Sequence, residues 1–143
     1  MPPPRLYFLV RKAIVFVLLV CAKPGGWILI IGDETLKVKI LTGDYELRLG
    51  LKFRTHLSQD SAYLFLFPHP ERYPFWMKDT YIPLSIGFID TNYRLIAIDS
   101  MFPNDTTLIF PPQPIIMAIE TNQGWFKDHQ VKVGDRIHLF KLK

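Results

Sequence analysis

The sequence predicts a mainly β protein: a compact β-sandwich or barrel of short strands with one or two short helices, preceded by an N-terminal signal or anchor segment. The apolar runs are short and are separated by turn-forming residues at near-regular spacing, which is typical of all-β domains. Twelve prolines and eight glycines favour turns over long helices. A length of 143 residues with 49% hydrophobic residues fits one domain with one core.

Residues 1–22 are predicted to be a signal peptide or a membrane anchor. Arg11 and Lys12 precede the uninterrupted apolar run Ala13–Ala22. That run is too short to span a bilayer comfortably and fits the apolar region of a signal peptide. Cleavage after Ala22 would leave a chain that begins at Lys23. We therefore expect an exported protein, periplasmic or extracellular, that contacts the membrane only through residues 1–22.

Three other interpretations of this segment stay open. Leu18–Cys21 resembles a lipoprotein box that would be acylated at Cys21, although Val20 stands where a small residue is usual. The segment could also be retained as an anchor, or form a buried N-terminal helix. A basic cluster followed by an apolar run favours export or anchoring over the buried helix.

The net charge of +4 belongs to the N-terminal segment. Four of the 17 basic residues precede Asp33, the first acidic residue, and the remaining 13 are matched by 13 acidic residues. Proteins that bind nucleic acid usually carry a basic stripe on the folded domain, so we expect no nucleic-acid partner. The four histidines have no metal-ligand spacing, and Cys21 is the one cysteine. We expect no metal, no cofactor and a monomer.

Residues 23–32 are predicted to form a lead-in with a possible first strand, and residues 33–143 a single β-rich domain. Thr35–Leu41 alternates apolar and polar residues, as a half-buried strand does. Pro68–Pro74 is predicted to be a loop, Phe75–Met77 a possible short strand and Gly124–His129 one helical turn. The other predicted strands are Ala62–Phe67, Leu84–Asp90, Tyr93–Phe102, Ile115–Thr121 and Ile137–Lys141.

The pattern in Asp44–Arg54 fits two structures. Apolar residues at every second position, from Tyr45 to Phe53, favour a strand. Leu47, Leu51 and Arg54 also fall at helical spacing, and Thr42 or Asp44 could cap a helix. Periodicity by itself favours the strand.

Several motifs together resemble the bacterial and archaeal family known as domain of unknown function 192. They are Gly50–Arg54, Leu57, Phe65–Phe67, Phe75–Thr80, Ile82–Leu84, Phe88–Asp90, Ala118–Glu120, Gly124 and Gly134-Asp135. The resemblance covers about Asp33–Lys143. It implies a small β-domain, often with a signal peptide or anchor, and a short helix over Asp44–Phe53. The family has no established reaction, so the resemblance implies no activity.

The chain departs from the family pattern at several positions. Lys52 stands where methionine is common, Asp79 replaces a usual asparagine, Ser85 replaces a usual aspartate, and Ser61-Ala62 replaces a usual Gly-Met. If the family has a polar site built on these side chains, this chain has altered it.

Six residues are candidates for ligand binding: Trp76, Lys78, Asp79, Glu120, Arg54 and Trp125. Trp76 could act as a stacking platform beside the Lys78 charge, but a core tryptophan with Lys78 or Asp79 fixing the next loop is favoured. Trp125 and Phe126 could, with Trp76 and Tyr73, line an aromatic groove suited to a sugar or a peptide, but packing under the sheet edge is favoured.

Glu120 interrupts an otherwise apolar strand, IIMAIET. Its carboxylate lies either on the wet face or buried beside a partner such as Lys78 or Arg54. The sequence favours a structural ion pair.

The favoured function is a non-enzymatic module that binds a ligand or partner at the cell envelope. One alternative is an enzyme that acts on an envelope glycan or peptide through Glu120, Asp90 or Lys78. Another is a structural accessory of a membrane complex. Convergence of Lys78, Asp79, Glu120 and Arg54 on one concave pocket would favour the ligand or enzyme interpretation. If they are scattered, or paired on a convex surface, an interaction with a partner is favoured instead.

Overall fold

The computed structural model describes residues 26–143. The signal peptide, the anchor and the acylation of Cys21 fall on residues outside this part of the chain. Within residues 26–143, no helix is both long enough and apolar enough to cross a membrane.

Seven strands and two short helices make up the described chain, which confirms the mainly β prediction. In order they are β1 (Trp27–Ile31), β2 (Glu34–Leu41), α1 (Gly43–Leu49), β3 (Ser61–Glu71), β4 (Leu84–Ile89), β5 (Leu95–Met101), β6 (Ile115–Asn122), α2 (Trp125–Asp128) and β7 (Ile137–Lys141).

All seven strands belong to one sheet with the order β5-β4-β6-β3-β2-β1-β7. Every neighbouring pair is antiparallel except β2 and β3, which run parallel. Parallel neighbours need a crossover connection. α1 and the loop that follows it supply this crossover, and they therefore lie across one face of the sheet.

The two edge strands of the sheet meet at one end. Arg94, just before β5, forms a β-bridge with Arg136, just before β7. The amide of Leu95 donates to the carbonyl of Asp135 at 2.9 Å, and the amide of Ile137 donates to Tyr93 at 2.9 Å. Backbone hydrogen bonds thus join the two edges of the sheet at one end, as in a partly closed barrel.

The sheet separates two apolar clusters. The inner cluster draws residues from all seven strands and α2, including Leu64, Ile119 and Phe126, and fills the barrel. The outer cluster, including Phe65 and Phe88, lies on the other face beneath the loops that follow α1 and β3. Side chains of successive residues in a strand point to opposite faces, so each central strand serves both clusters.

The structure resolves the ambiguous segment Asp44–Arg54 in favour of the helix that the family resemblance implied, and it corrects one predicted boundary. The alternation from Tyr45 to Phe53 favoured a strand, but the chain forms α1 there, as the family resemblance implied. Tyr45 and Phe53 are exposed, so the alternating pattern did not mark one buried face.

The predicted loop Pro68–Pro74 begins too early, because β3 continues to Glu71. The pairing of β3 with β6 shifts register between Leu66 and Glu71. Prolines have no amide to donate to a sheet and are tolerated at such irregularities, so Pro68 and Pro70 do not end the strand.

Candidate functional site

A cavity of about 600 Å³ opens on the outer face of the sheet. It lies between α1, the loop after it, the end of β3 and the segment that precedes β4. We call it the Glu120 pocket. Its lining residues are Asp44, Leu47, Arg48, Gly50, Leu51, Lys52, Phe65, Phe67, Pro68, His69, Glu71, Tyr73, Pro74, Phe75, Trp76, Met77, Thr80 and Glu120.

Glu120 reaches this pocket from β6, where its cross-strand neighbours are Tyr63 and Ile86. The residue is 5% exposed. Its carboxyl group has no hydrogen bond or ion pair with any residue of 26–143. No side-chain oxygen or nitrogen in that part of the chain is both fully buried and unpartnered. The carboxyl oxygens of Glu120 therefore face the space of the pocket.

Burial changes the protonation of this carboxyl group. Removal from water penalises the charged form, and it raises the pKa of Glu120 from its ordinary value of 4.5 to about 8. The group is mostly neutral at pH 7. It can then donate one hydrogen bond and accept others.

Aromatic rings form much of the pocket wall. Phe67 and Tyr73 are stacked, with ring centroids 3.8 Å apart and planes at 10°. Phe75 meets Phe65 edge to face at 5.5 Å. Trp76 adds a ring that is 43% exposed. The pocket therefore combines aromatic walls with a buried carboxyl group that has no partner in residues 26–143, a combination that fits a small-molecule site.

Two lysines hold their ammonium groups over the ring of Trp76. Lys52 Nζ lies 5.6 Å from the ring centroid and Lys78 Nζ lies 5.5 Å from it. These are cation–π distances. The prediction of Trp76 as a core residue is wrong, because its ring serves as a half-exposed platform for these two cations.

The ion pair favoured for Glu120 is not formed with either expected partner. Lys78 lies over Trp76, and the Arg54 guanidinium lies 5.0 Å from the ring centroid of Tyr63. Both basic residues are exposed. Long basic side chains keep their charged ends in water while their stems cover apolar surface, so neither charge is drawn in towards Glu120.

The other candidates lie outside the pocket. Asp79 has a left-handed backbone, with φ of 59°, and its carbonyl accepts the amide of Phe53 at 2.8 Å. Asparagine and aspartate are the residues that best tolerate this conformation. The replacement of the family's usual asparagine at this turn is therefore conservative for the backbone.

Trp125 is buried in the inner cluster and does not line a groove. Its ring stacks on His129 at 4.4 Å and meets Phe126 edge to face at 5.5 Å. The structure confirms the favoured interpretation, in which Trp125 packs under the sheet. Arg54 lines a separate small cleft beside the pocket.

Ser85 and Asp90 have structural contacts. The Ser85 hydroxyl accepts the amide of Gly124 at 3.0 Å, which fixes the start of α2. Asp90 Oδ1 accepts the amides of Asn92 and Arg94 at 2.9 and 3.0 Å. The aspartate thus caps the turn between β4 and β5, as its position before Thr91-Asn92 indicated.

The sequence did not single out Lys52, Phe65 or Phe67 as pocket residues. The one hint was the replacement of the family's common methionine by Lys52. The stacking of Phe67 on Tyr73 depends on the register shift at the end of β3. Such a shift leaves no periodic pattern to detect.

In residues 26–143, no group of three or more histidine, cysteine, aspartate or glutamate side chains is placed to hold a metal ion.

The comparisons with solved structures agree with this architecture. A protein of Sinorhizobium meliloti 1021, described as a "putative transcription regulator", has 27% identity and a TM-score of 0.74, over 80% of this chain and 92% of its own. A protein of unknown function from Novosphingobium aromaticivorans has 25% identity and a TM-score of 0.77, over 84% of this chain and 95% of its own. No curated protein sequence matches significantly.

The family comparison covers most of the barrel. The model of family DUF192, described as "Uncharacterized ACR", matches residues 28–139. This range contains every motif that carried the resemblance. The chain therefore belongs to the domain of unknown function 192 family.

Proposed function

We propose that this protein is a non-enzymatic binding module of the cell envelope, and that it holds a small molecule in the Glu120 pocket. One observation carries the proposal. Glu120, a residue that is only 5% exposed, turns its carboxyl group into an aromatic cavity, and that group has no partner in the described chain. Burying such a group costs free energy unless something pairs with it. A bound ligand would supply that pairing.

The size of the pocket supports a small ligand. Small-molecule sites typically enclose about 300–1,000 Å³, and this cavity of about 600 Å³ lies within that range. Of the four residues whose convergence would favour a ligand site, Glu120 lines the pocket, whereas Lys78, Asp79 and Arg54 do not. Trp76, another candidate for ligand binding, also lines it. The proposal therefore rests on Glu120 and the aromatic wall, and not on a cluster of charges.

The binding function is tested by NMR, through the methyl resonances of methionines in the full chain. Met77 lines the pocket, whereas Met117 lies in the inner cluster. The full chain labelled at its methionine methyl groups is mixed with peptidoglycan fragments, short glycans and a polar envelope extract. We expect at least one mixture to move the Met77 methyl resonance and leave that of Met117 in place. No shift of Met77 with any mixture would contradict a binding function.

The envelope location is supported by the basic cluster and the apolar run of residues 13–22. The full chain is expressed in a bacterial host, the cells are fractionated, and the N-terminus is read by mass spectrometry. We expect a species beginning at Lys23 in the extracytoplasmic fraction. Acylated Cys21 or an intact membrane-bound chain would identify the lipoprotein or the anchor. An intact chain in the cytoplasm contradicts this part of the proposal.

The enzyme alternative keeps one specific support. A carboxylic acid that is still protonated near neutral pH can act as a general acid, and burial gives Glu120 such a pKa. Mass spectrometry of the same glycans and peptides after incubation separates the two functions. Unchanged molecules support the binding module. Cleaved products that disappear with Glu120→Gln support the enzyme.

The description of the Sinorhizobium meliloti protein as a "putative transcription regulator" raises the question of DNA binding. The folded part of this chain balances 13 basic residues with 13 acidic ones. Affinity for nucleic acid comes largely from clustered basic residues. We therefore keep nucleic acid out of the proposed function.

A further inference from the structure

We propose that the Glu120 pocket selects an organic amine, bound as an ammonium group against the Glu120 carboxylate with its apolar body between the aromatic rings. The inference rests on the proposed binding function and names the class of ligand. It follows from the chemistry of the pocket floor, the walls and the rim.

The floor of the pocket offers a carboxyl group that is not paired with a basic residue. No lysine, arginine or histidine of residues 26–143 forms an ion pair with Glu120. An anionic ligand would gain no ion pair from Glu120. A neutral hydroxyl would gain an ordinary hydrogen bond, whereas an ammonium group would gain a charge-assisted one, which is about twice as strong.

The walls favour the same class of ligand. Phe65, Phe67, Tyr73, Phe75 and Trp76 all line the pocket, and aromatic faces attract cations through their quadrupole. The chain already uses this attraction, because Lys52 and Lys78 place their ammonium groups over Trp76. The aromatic wall favours a ligand with a positive charge and an apolar body. Because Lys52 and Lys78 already occupy Trp76, the attraction for a ligand cation comes from the other rings.

The rim carries equal numbers of acidic and basic side chains, so it does not favour a cationic ligand over an anionic one. Asp44 and Glu71 are acidic, and Arg48 and Lys52 are basic. The titratable or charged groups around Glu120 are Asp44 and Arg48 on α1, Lys52 in the following loop, Tyr63 beside it on β3, His69 and Glu71 at the end of β3, and Tyr73 beyond it.

The binding step has a proton balance. The unliganded carboxyl group carries a proton below a pH of about 8. When an ammonium group binds, the ion pair forms with the carboxylate, and the carboxyl proton leaves to solvent. Affinity for the amine therefore rises with pH until the free carboxyl group is ionised.

The experiment compares three probes of similar shape on the full chain: 2-phenylethylamine, 2-phenylethanol and 3-phenylpropanoate. Binding is followed through the Met77 methyl resonance. We expect the amine to bind about tenfold more tightly than the alcohol, the difference between a charge-assisted and a neutral hydrogen bond, and the carboxylate to bind most weakly. The amine's affinity is expected to rise up to a pH of about 8 and then level off.

Two variants complete the design. Glu120→Gln keeps the shape of the side chain, and we expect it to remove both the preference for the amine and its pH dependence. Glu34→Gln makes the same change outside the pocket and should retain both. Preserved resonance dispersion shows that each variant is folded.

The outcomes separate this inference from the function on which it rests. If the alcohol or the carboxylate matches the amine, if Glu120→Gln keeps the preference, or if no probe moves Met77, the amine class is wrong. The binding function itself fails only if the envelope mixtures also leave Met77 unmoved.

Discussion

Glu120 is a buried acid whose neutral form is favoured by the fold. The usual pairing of buried carboxylates with a basic residue would lower the pKa, but here burial acts without an opposing charge and raises it to about 8. The contribution of Glu120 to the pH dependence of stability is therefore opposite in sign to that of an ordinary salt-bridged carboxylate. Between 4.5 and 8 the unfolded chain has released this proton while the folded chain still holds it, so rising pH favours unfolding.

Replacement of Glu120 by glutamine is expected to remove this pH dependence. The free energy of unfolding of the wild type should fall as the pH rises from 4.5 to about 8, by at most about 1.4 kcal/mol per pH unit, and Glu120→Gln should lack that fall. Urea unfolding across this range measures it, and the wild type minus variant difference cancels the histidines. Glu34→Gln is the control. A difference that stays constant across the range contradicts the account.

The sequence pointed to Glu120 because a lone carboxylate stands out in the apolar strand IIMAIET. The sequence could not show which residue, if any, pairs with Glu120. Whether Arg54 or Lys78 reaches Glu120 depends on the path of two loops, and each side chain settles on an aromatic ring instead. The same loops hold Trp76 half-exposed, although a large aromatic side chain was expected to lie in the core.

At the scale of elements, the strands were easier to predict than the segments between them. β2, β4, β6 and β7 lie within a residue of their expected bounds, since each has a buried face that fixes its pattern. α1 has no buried residue. Its sequence carries only the helical spacing of Leu47, Leu51 and Arg54, so the family resemblance was needed to favour a helix over a strand.

α2 packs against the sheet at Gly87, and a substitution there tests this packing. A Cβ at this position would lie 2.8 Å from both Leu95 Cδ1 and Phe126 Cζ. Gly87→Ala should therefore displace Phe126 and lower the free energy of unfolding by about 1–3 kcal/mol, the usual range for an overpacked core. Urea unfolding provides the measurement.

Gly26→Ala is the matched control, because its Cβ would meet Leu142 at an ordinary 3.7 Å. We expect it to leave the unfolding free energy nearly unchanged. If both substitutions have the same effect, the close packing of α2 on β4 is wrong.

At the scale of the whole molecule, the closure of the sheet is the feature that sequence patterns could not provide. The alternation of a strand gives its buried face but not its neighbour. Neither the parallel pairing of β2 with β3 nor the contact between β5 and β7 leaves a local trace. The sequence therefore left sandwich and barrel as equal alternatives.

Amide hydrogen exchange tests the closure. The amides of Leu95, Gly134 and Ile137 donate across the seam at 2.8–2.9 Å, so we expect them to exchange slowly, as sheet amides do. The amide of Val133, an exposed residue in the adjoining turn, is the internal comparison. Exchange at the three seam amides as fast as at Val133 would mean that the barrel is open there.

The most direct test of the account is the titration of the Glu120 carboxyl carbon by NMR in the unliganded full chain, with the resonance assigned by its loss in Glu120→Gln. An unpartnered carboxyl group that faces the pocket predicts a midpoint near 8. A midpoint at or below the ordinary value of 4.5 would show that the group is solvated or already paired within the protein. The pocket would then have no unpartnered carboxyl group to offer a ligand.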